Sequence, residues 1–315
     1  MRISRILPAL MLALSVGTIA PIAQAANEIE QHLRYEFRDK TFLLRGFYPG
    51  NALHYSPDGV LREPTQSGDW TVDGGVRIDD LSVSGSRLRI KASRVRWGWV
   101  TPIGFSPLHD SDGKGHPDKD EKKNRALQIE VDLGSDPRLE SAEAAFSRIF
   151  LNSKDNFGDL IPDYWKPCVS AALKNGGDIK FQSCRFSAEF LQIPGVQPPS
   201  EGTPNSEAKS DSQNPVERPA ILSVGHGVSP PRVLNQQNPS FSEPARRAKY
   251  QGIVVLGLIV DKSGSATHIH IQKPLGYGLD ENAVHSVEGW RFKPAEKDGQ
   301  PVATEIAVEV DFHLY

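Results

Sequence analysis

Histidine and acidic side chains are the residues in this sequence that could hold a metal or move a proton. Four histidines lie in the first half of the chain: His32, His54, His109 and His116. His268 and His270 follow on one predicted strand, where a solvent-facing pair is favoured because no third ligand is near. The zinc-enzyme pattern H-E-x-x-H and the serine-hydrolase pattern G-x-S-x-G are both absent. We therefore predict no enzyme and no cofactor, with a hydrolase in the first half as the competing interpretation.

One loop has the carboxylate spacing of a calcium-binding loop. Asp110, Asp112, Asp118 and Glu121 match positions 1, 3, 9 and 12 of an EF-hand loop, where oxygen ligands surround Ca²⁺. Against this, Lys114 places a cation where an oxygen ligand belongs, and the flanking segments have strand rather than helix patterns. The sequence therefore favours a solvated charged loop, and these four carboxylates stay a calcium candidate.

The first 25 residues have the pattern of a secretory signal. Arg2 and Arg5 precede an apolar stretch from Ile6 to Ile19, and Ala23-Gln24-Ala25 is a small-x-small cleavage site. We predict cleavage of residues 1–25 and export of the mature chain. The alternative is a retained segment that anchors the chain in a membrane.

Composition and cysteine content fit an exported protein. The chain has 315 residues, 38% of them hydrophobic, and a net charge of −3, so no nucleic-acid partner is indicated. Cys168 and Cys184 are the two cysteines. In an oxidising compartment a cysteine pair is more often a disulfide than a metal site, so we predict that these two are bonded.

Residues 26–193 are predicted to form a β-rich domain, an antiparallel sheet or open barrel on which a helix packs. Apolar residues alternate with polar ones in several segments, which is typical of half-buried strands. Examples are Leu33, Tyr35 and Phe37; Leu88, Ile90 and Ala92; and Cys184 to Ile193. Ala142, Ala145, Phe146, Ile149 and Phe150 instead recur at helical spacing.

Residues 194–230 and 231–315 are predicted to be a disordered linker and a second domain. The linker is rich in Pro, Ser, Glu, Asn and Gly and poor in large apolar groups. The second domain reads as a hairpin, a helix whose N-terminus Asp280 caps, and a final strand. The whole chain is therefore predicted to be α+β.

Motif blocks in this last segment carry a family resemblance. They include Gly252-x-x-x-L-x-x-x-V-D, Gly276-x-Gly-Leu-Asp280 and Trp290-Arg-Phe-Lys-Pro-Ala295, followed by Asp298-Gly-Gln-Pro-Val302. In this order they resemble the C-terminal domain of TonB-family energy transducers. The resemblance covers about residues 230–315, and it departs from the family where Phe241-Ser242 replaces the frequent Tyr-Pro.

The resemblance implies that this domain binds an extended segment of an outer-membrane TonB-dependent transporter, or of another envelope protein, by strand addition. The predicted binding edge is the last strand, with Thr304, Ile306, Val308, Val310 and Phe312. Exposed edges also permit a homodimer. Three alternatives stay open: a membrane-anchored energy transducer, a module for calcium or glycan in the first domain, and an envelope hydrolase.

Overall fold

The structure is a computed structural model, and it describes residues 19–63, 65–101, 103–108, 124–174, 184–196 and 221–314. The calcium candidate Asp110, Asp112, Asp118 and Glu121 lies outside these residues. Within the described ranges, no helix combines the length and the apolar content needed to cross a membrane.

Six α-helices and fourteen strands are described. The helices are Ile19–Phe37 (α1), Leu139–Ile149 (α2), Lys166–Lys174 (α3), Ala188–Leu191 (α4), Glu243–Ala248 (α5) and Leu279–Glu288 (α6). The strands are Thr41–Leu43 (β1), Ala52–Tyr55 (β2), Gly75–Ser84 (β3), Arg87–Val95 (β4), Trp97–Val100 (β5), Gly104–Pro107 (β6), Ala126–Asp132 (β7), Arg232–Asn235 (β8), Gly252–Val260 (β9), Ala266–Lys273 (β10), Arg291–Lys293 (β11), Ala295–Lys297 (β12), Gln300–Val302 (β13) and Thr304–Phe312 (β14). This mixture confirms the predicted α+β class.

The first sheet has five strands in the order β1-β3-β4-β7-β2. Its pairs are antiparallel except that β2 runs parallel to β7, an exception that the predicted antiparallel sheet did not include. In β4, Leu88, Ile90 and Ala92 are buried and the residues between them are exposed, as the alternation predicts. Helices α1 and α2 contact each other through the stacked rings of Phe37 and Phe146, and α1 also packs on β3.

The strand predicted for Leu33, Tyr35 and Phe37 is wrong, because these residues belong to helix α1. Leu33 is fully buried together with Ile29, four positions earlier on the same helix face, whereas Tyr35 is 83% exposed. A spacing of two in the apolar residues was therefore accidental, and the spacing of four determines which face packs on the sheet.

The second sheet has three strands in the order β10-β9-β14, and α6 packs against β9 and β10. The order of hairpin, helix and strand is the one predicted for the C-terminal segment. Leu256 and Leu258 of β9 are buried against Val284 and Val287 of α6 in one apolar cluster.

This cluster continues into the N-terminal half of the chain. Trp97, Trp165 and Phe190 belong to the same buried core as the residues of β9 and α6. Residues 221–229, inside the predicted linker, also contact the C-terminal segment: Leu222 N–H donates to the carbonyl of Ala303, and Ser229 N–H to that of Glu296, both at 2.9 Å. The two predicted domains therefore share a core.

Cys168 and Cys184 form a disulfide, which confirms the predicted pairing. Cys168 lies on α3, and Cys184 precedes the short helix α4. The strand predicted for Cys184 to Ile193 holds only around Phe186, which bridges Phe105 of β6, and it is wrong from Ala188 onward. The Ser187 hydroxyl accepts a hydrogen bond from the N–H of Phe190, and this N-cap begins a helix there.

Replacing Cys168 and Cys184 together with alanine should lower the free energy of unfolding by about 3 kcal/mol, because the disulfide restricts the unfolded chain. Urea unfolding under oxidising conditions measures this difference. The control is the same comparison with a reductant, which should make the two proteins equally stable. Equal stability without reductant would contradict a bonded pair.

Candidate functional site

Strand β14 lies at one edge of the second sheet. It pairs antiparallel with β9 along its whole length, from Thr304 opposite Val260 to Phe312 opposite Gly252. The predicted edge residues face the core: Thr304, Val310 and Phe312 are buried, and Ile306 and Val308 are half-buried. The residues between them, Glu305, Ala307, Glu309 and Asp311, are exposed.

One hydrogen bond identifies the backbone groups that point away from the sheet. Leu222 N–H donates to the carbonyl of Ala303, and Leu222 bridges Thr304 in the parallel sense on the side away from β9. Successive residues of a strand direct their backbone groups to opposite sides, so those of Glu305, Ala307 and the following odd-numbered residues face outward. Among the described residues, Leu222 is the only one that pairs with this outer side.

The opposite edge of the same sheet, strand β10, is covered. The turn Asp163–Trp165 and helix α3 both pack on β10, and Cys184 Sγ lies 3.0 Å from the carbonyl oxygen of Gln272. Covering an edge with a helix or loop prevents another strand from pairing there. The described residues therefore leave β14 as the open edge of this sheet.

The two halves of the chain meet at the start of α6 through backbone contacts. Gly276 bridges Gly98, and Tyr277 N–H donates to the carbonyl of Trp97 at 2.9 Å. A Cβ atom on Gly276 would lie 2.2 Å from the oxygen of Trp97, and its φ is +95°, so only glycine fits. Gly278 N–H donates to the hydroxyl of Thr71 at 2.8 Å.

A group of carboxyl groups is buried at this junction. Asp280 accepts hydrogen bonds from the N–H groups of Leu275 and Gly276 at 2.7 and 2.6 Å, so it fastens the loop before α6. Glu281 accepts one from the indole N–H of Trp165 at 3.0 Å. Asp69, from the first half of the chain, lies beside this pair.

Burial raises the pKa of each of these carboxyl groups, because it disfavours the charged form. The pKa of Asp280 rises to about 7, with the nearby charge of Asp69 adding to the effect of burial. The pKa of Asp69 rises to about 6, through burial and then the charge of Asp73. Glu281 has a pKa well above its ordinary value, through burial and then Asp69 and Asp280.

The candidate metal and catalytic residues that the structure describes are not brought together, and His109 and His116 lie outside the described residues. His268 is exposed and His270 half-buried on β10, and His32 and His54 each lie beside a single glutamate. No group of three or more metal-ligating side chains occurs in the described part of the chain. Of the three tryptophans on which a glycan could stack, Trp70 and Trp97 are buried in the core and Trp99 is half-buried.

Comparison with known proteins identifies the C-terminal segment. Residues 237–314 match the family model described as Gram-negative bacterial TonB protein C-terminal. This segment is a TonB C-terminal domain. The edge strand β14, the sheet and α6 therefore all belong to the TonB domain, and the N-terminal unit, the described residues among 26–196, packs against it.

The relatives are similar over this domain and little more. "Protein tonB2" of Pseudomonas aeruginosa is 34% identical over 82 residues, 26% of this chain and 30% of the relative. "Protein TonB" of Vibrio cholerae is 27% identical over 119 residues, 38% of this chain and 44% of the relative. The chain thus spans less than half of either relative. A solution NMR structure of the Pseudomonas aeruginosa TonB C-terminal domain is 16% identical, with a TM-score of 0.24, over 30% of this chain and 97% of that one.

The junction carboxyl groups predict how stability depends on pH. The folded protein binds their protons more tightly than the unfolded chain, so the free energy of unfolding should fall as pH rises from about 4 to about 7. Glu281→Gln keeps an acceptor for Trp165 without the charge. We expect this variant to gain on the order of 1 kcal/mol over the wild type at alkaline pH.

Urea unfolding at several pH values checks this expectation. The matched control is Glu288→Gln, on an exposed position of the same helix, which should follow the wild type throughout. If Glu281→Gln lost as much stability as the wild type on raising the pH, Glu281 would not be a source of the pH dependence.

Proposed function

We propose that this protein is a non-enzymatic cell-envelope protein in TonB-dependent transmembrane transport. Its TonB domain binds an extended segment of an outer-membrane transporter, or of another envelope partner, by strand addition at β14. The observation that carries this proposal is the open outer edge of β14 in a sheet whose other edge is covered by the turn Asp163–Trp165, helix α3 and Cys184.

The geometry of β14 suits strand addition. An added strand gains affinity from main-chain hydrogen bonds and specificity from its alternate side chains. The outward C=O of Glu305 and the outward N–H and C=O groups of Ala307 and Glu309 supply the bonds, and the half-buried Ile306 and Val308 offer apolar contacts on the core side. These contacts are the reason that we place partner binding along Ile306, Val308, Val310 and Phe312, beyond Thr304, which Leu222 already bridges.

The homodimer that the sequence permits is disfavoured at this edge. If two copies of β14 paired antiparallel about Val308, Glu305 of one copy would lie opposite Asp311 of the other. Like charges directly opposite each other destabilise a strand pair. A different protein is therefore the favoured partner.

We also propose that the protein acts in the periplasm after removal of residues 1–25. A released protein would bind envelope partners without an anchor through which to transmit force from the inner membrane. A retained N-terminal segment would instead make the chain an anchored transducer, the alternative that the sequence leaves open.

Ala307→Pro should abolish binding at this edge while the TonB domain stays folded. The N–H of Ala307 faces the open side, so proline removes a donor for the incoming strand and leaves the ladder with β9 intact. Affinity for short extended peptides from outer-membrane transporters, measured by fluorescence anisotropy, should fall at least about tenfold.

Ala307→Thr is the matched control, because it changes the same exposed side chain and keeps the donor. Circular dichroism and thermal melting should show both variants folded. Val308→Pro is unsuitable as a test, because the N–H of Val308 faces β9 and its loss would damage the sheet itself. Undiminished binding by folded Ala307→Pro would move the interface away from β14.

N-terminal sequencing of the protein from a periplasmic fraction tests its location. We expect the mature chain to begin at Ala26, since signal peptidases cut after a small-x-small pattern. Recovery of residues 1–25 in the inner-membrane fraction would instead establish the anchored form. The substitution Ala25→Phe blocks such a cleavage site, so the variant protein should move from the periplasmic fraction to the inner-membrane fraction.

A further inference from the structure

The exposed face of β14 carries negative charge at three of its four outward positions. Glu305, Glu309 and Asp311 are exposed, and Ala307 is the fourth. Side chains two residues apart on a strand are separated by about 6.8 Å, so the carboxylates form a row along the open edge. This row lies beside the backbone groups that an added strand would use.

The neighbouring strand β9 carries no charge opposite these three carboxylates, and the basic side chains on this face, those of His270 and Lys273, come from β10 beyond it. The residues of β9 opposite the three carboxylates are Ile259, Val255 and Ile253. Among the described residues, none of the three carboxylates has a salt-bridge partner or another polar contact. A cation on an added strand can therefore approach these carboxylates from the open side of β14.

The available length of the edge is also defined. Leu222 already bridges Thr304, the first residue of the strand. At the far end, Leu314 N–H donates to the side-chain oxygen of Gln251 at 2.7 Å, which fastens the chain after the strand. An incoming strand therefore pairs opposite residues 305–312.

We propose that the partner segment at β14 is a short extended peptide with lysine or arginine at every second position and apolar residues between. Its basic side chains lie on the outer face, opposite Glu305, Glu309 and Asp311. Its apolar side chains lie on the core side, opposite Ile306, Val308 and Val310. This inference rests on the proposed function, because it assigns the chemistry of the segment that binds by strand addition.

The register explains why alternate basic residues matter. Directly opposite side chains on neighbouring strands approach within about 5 Å, and each pair of opposite charges changes affinity by about one and a half- to fivefold. Three such pairs together should favour a basic segment over a neutral one by about tenfold. Because the pairs are exposed, salt should weaken this preference.

The test uses the full mature protein and three heptapeptides. Each has valine at positions 2, 4 and 6, and lysine, threonine or glutamate at positions 1, 3, 5 and 7. Each peptide is palindromic, so it presents the same side chains in either strand direction. We expect the lysine peptide to bind about tenfold more tightly than the threonine peptide at low salt, and the glutamate peptide to bind most weakly. Raising the salt concentration should bring the three affinities together.

The charge-reversal variant Glu305→Lys/Glu309→Lys should reverse this order, so that the glutamate peptide binds more tightly than the lysine peptide. The control Asp58→Lys/Glu288→Lys changes the net charge equally at two exposed positions away from the edge, and it should keep the wild-type order. The same order of affinities in both variants would overturn the proposed basic partner.

The two proposals fail in different ways. If Ala307→Pro abolishes binding of all three peptides but the wild type binds them equally, strand addition stands and the basic partner is wrong. If no peptide binds the wild type, or if Ala307→Pro binds them all unchanged, then strand addition at β14 fails and the basic partner fails with it.

Discussion

The contact on which this structure depends is the burial of the start of α6 against the N-terminal unit. Gly276 lies close enough to Trp97 to exclude any side chain, and the indole of Trp165 donates to the buried carboxyl group of Glu281. Burying a carboxyl group is costly unless hydrogen bonds or protonation compensate for it. Here hydrogen bonds from Leu275, Gly276 and Trp165 compensate in part, and burial raises the pKa of Asp280 and Glu281. The junction is therefore a polar contact inside an apolar core, and it sets the orientation of the TonB domain.

That orientation makes the two edges of the second sheet different. Helix α3 and Cys184, which the disulfide joins, cover β10, while β14 keeps its outward backbone groups accessible. Unpaired edges promote aggregation, and proteins protect them with charge or cover. One edge is covered and the other is lined by carboxylates. The same carboxylates that discourage pairing with another copy can select a partner of opposite charge.

Local patterns were enough to predict much of the edge. Short segments are enough to show the alternation through β14 and the helical spacing of α2. The disulfide could be predicted because the chain has two cysteines, which leaves one possible pairing. Helix α1 was missed because Leu33 and Phe37 satisfy both a helical spacing of four and a strand spacing of two. Only the position of the sheet, which leaves Tyr35 in solvent, separates the two interpretations.

The junction could not be predicted in this way. Trp165 and Glu281 are 116 residues apart, and Asp280 and Glu281 have the pattern of ordinary acidic residues in the first turn of a helix. The division into two domains followed from the composition of the linker, which does not report contacts between the segments that it joins. Gly276 is part of the family motif, but its closest neighbour is Trp97, and the sequence around Trp97 carries no motif that would predict this contact.

The shared core has a consequence for the order in which the chain folds. The N-terminal unit is synthesised first, and its Trp97 and Trp165 are covered partly by residues of β9 and α6 that emerge much later. Contacts between segments so far apart in sequence form slowly, and apolar surface that waits for them is prone to aggregation. A growing chain therefore exposes this aromatic surface until the last third of the sequence has been synthesised. Chaperone binding should protect the chain most during that interval.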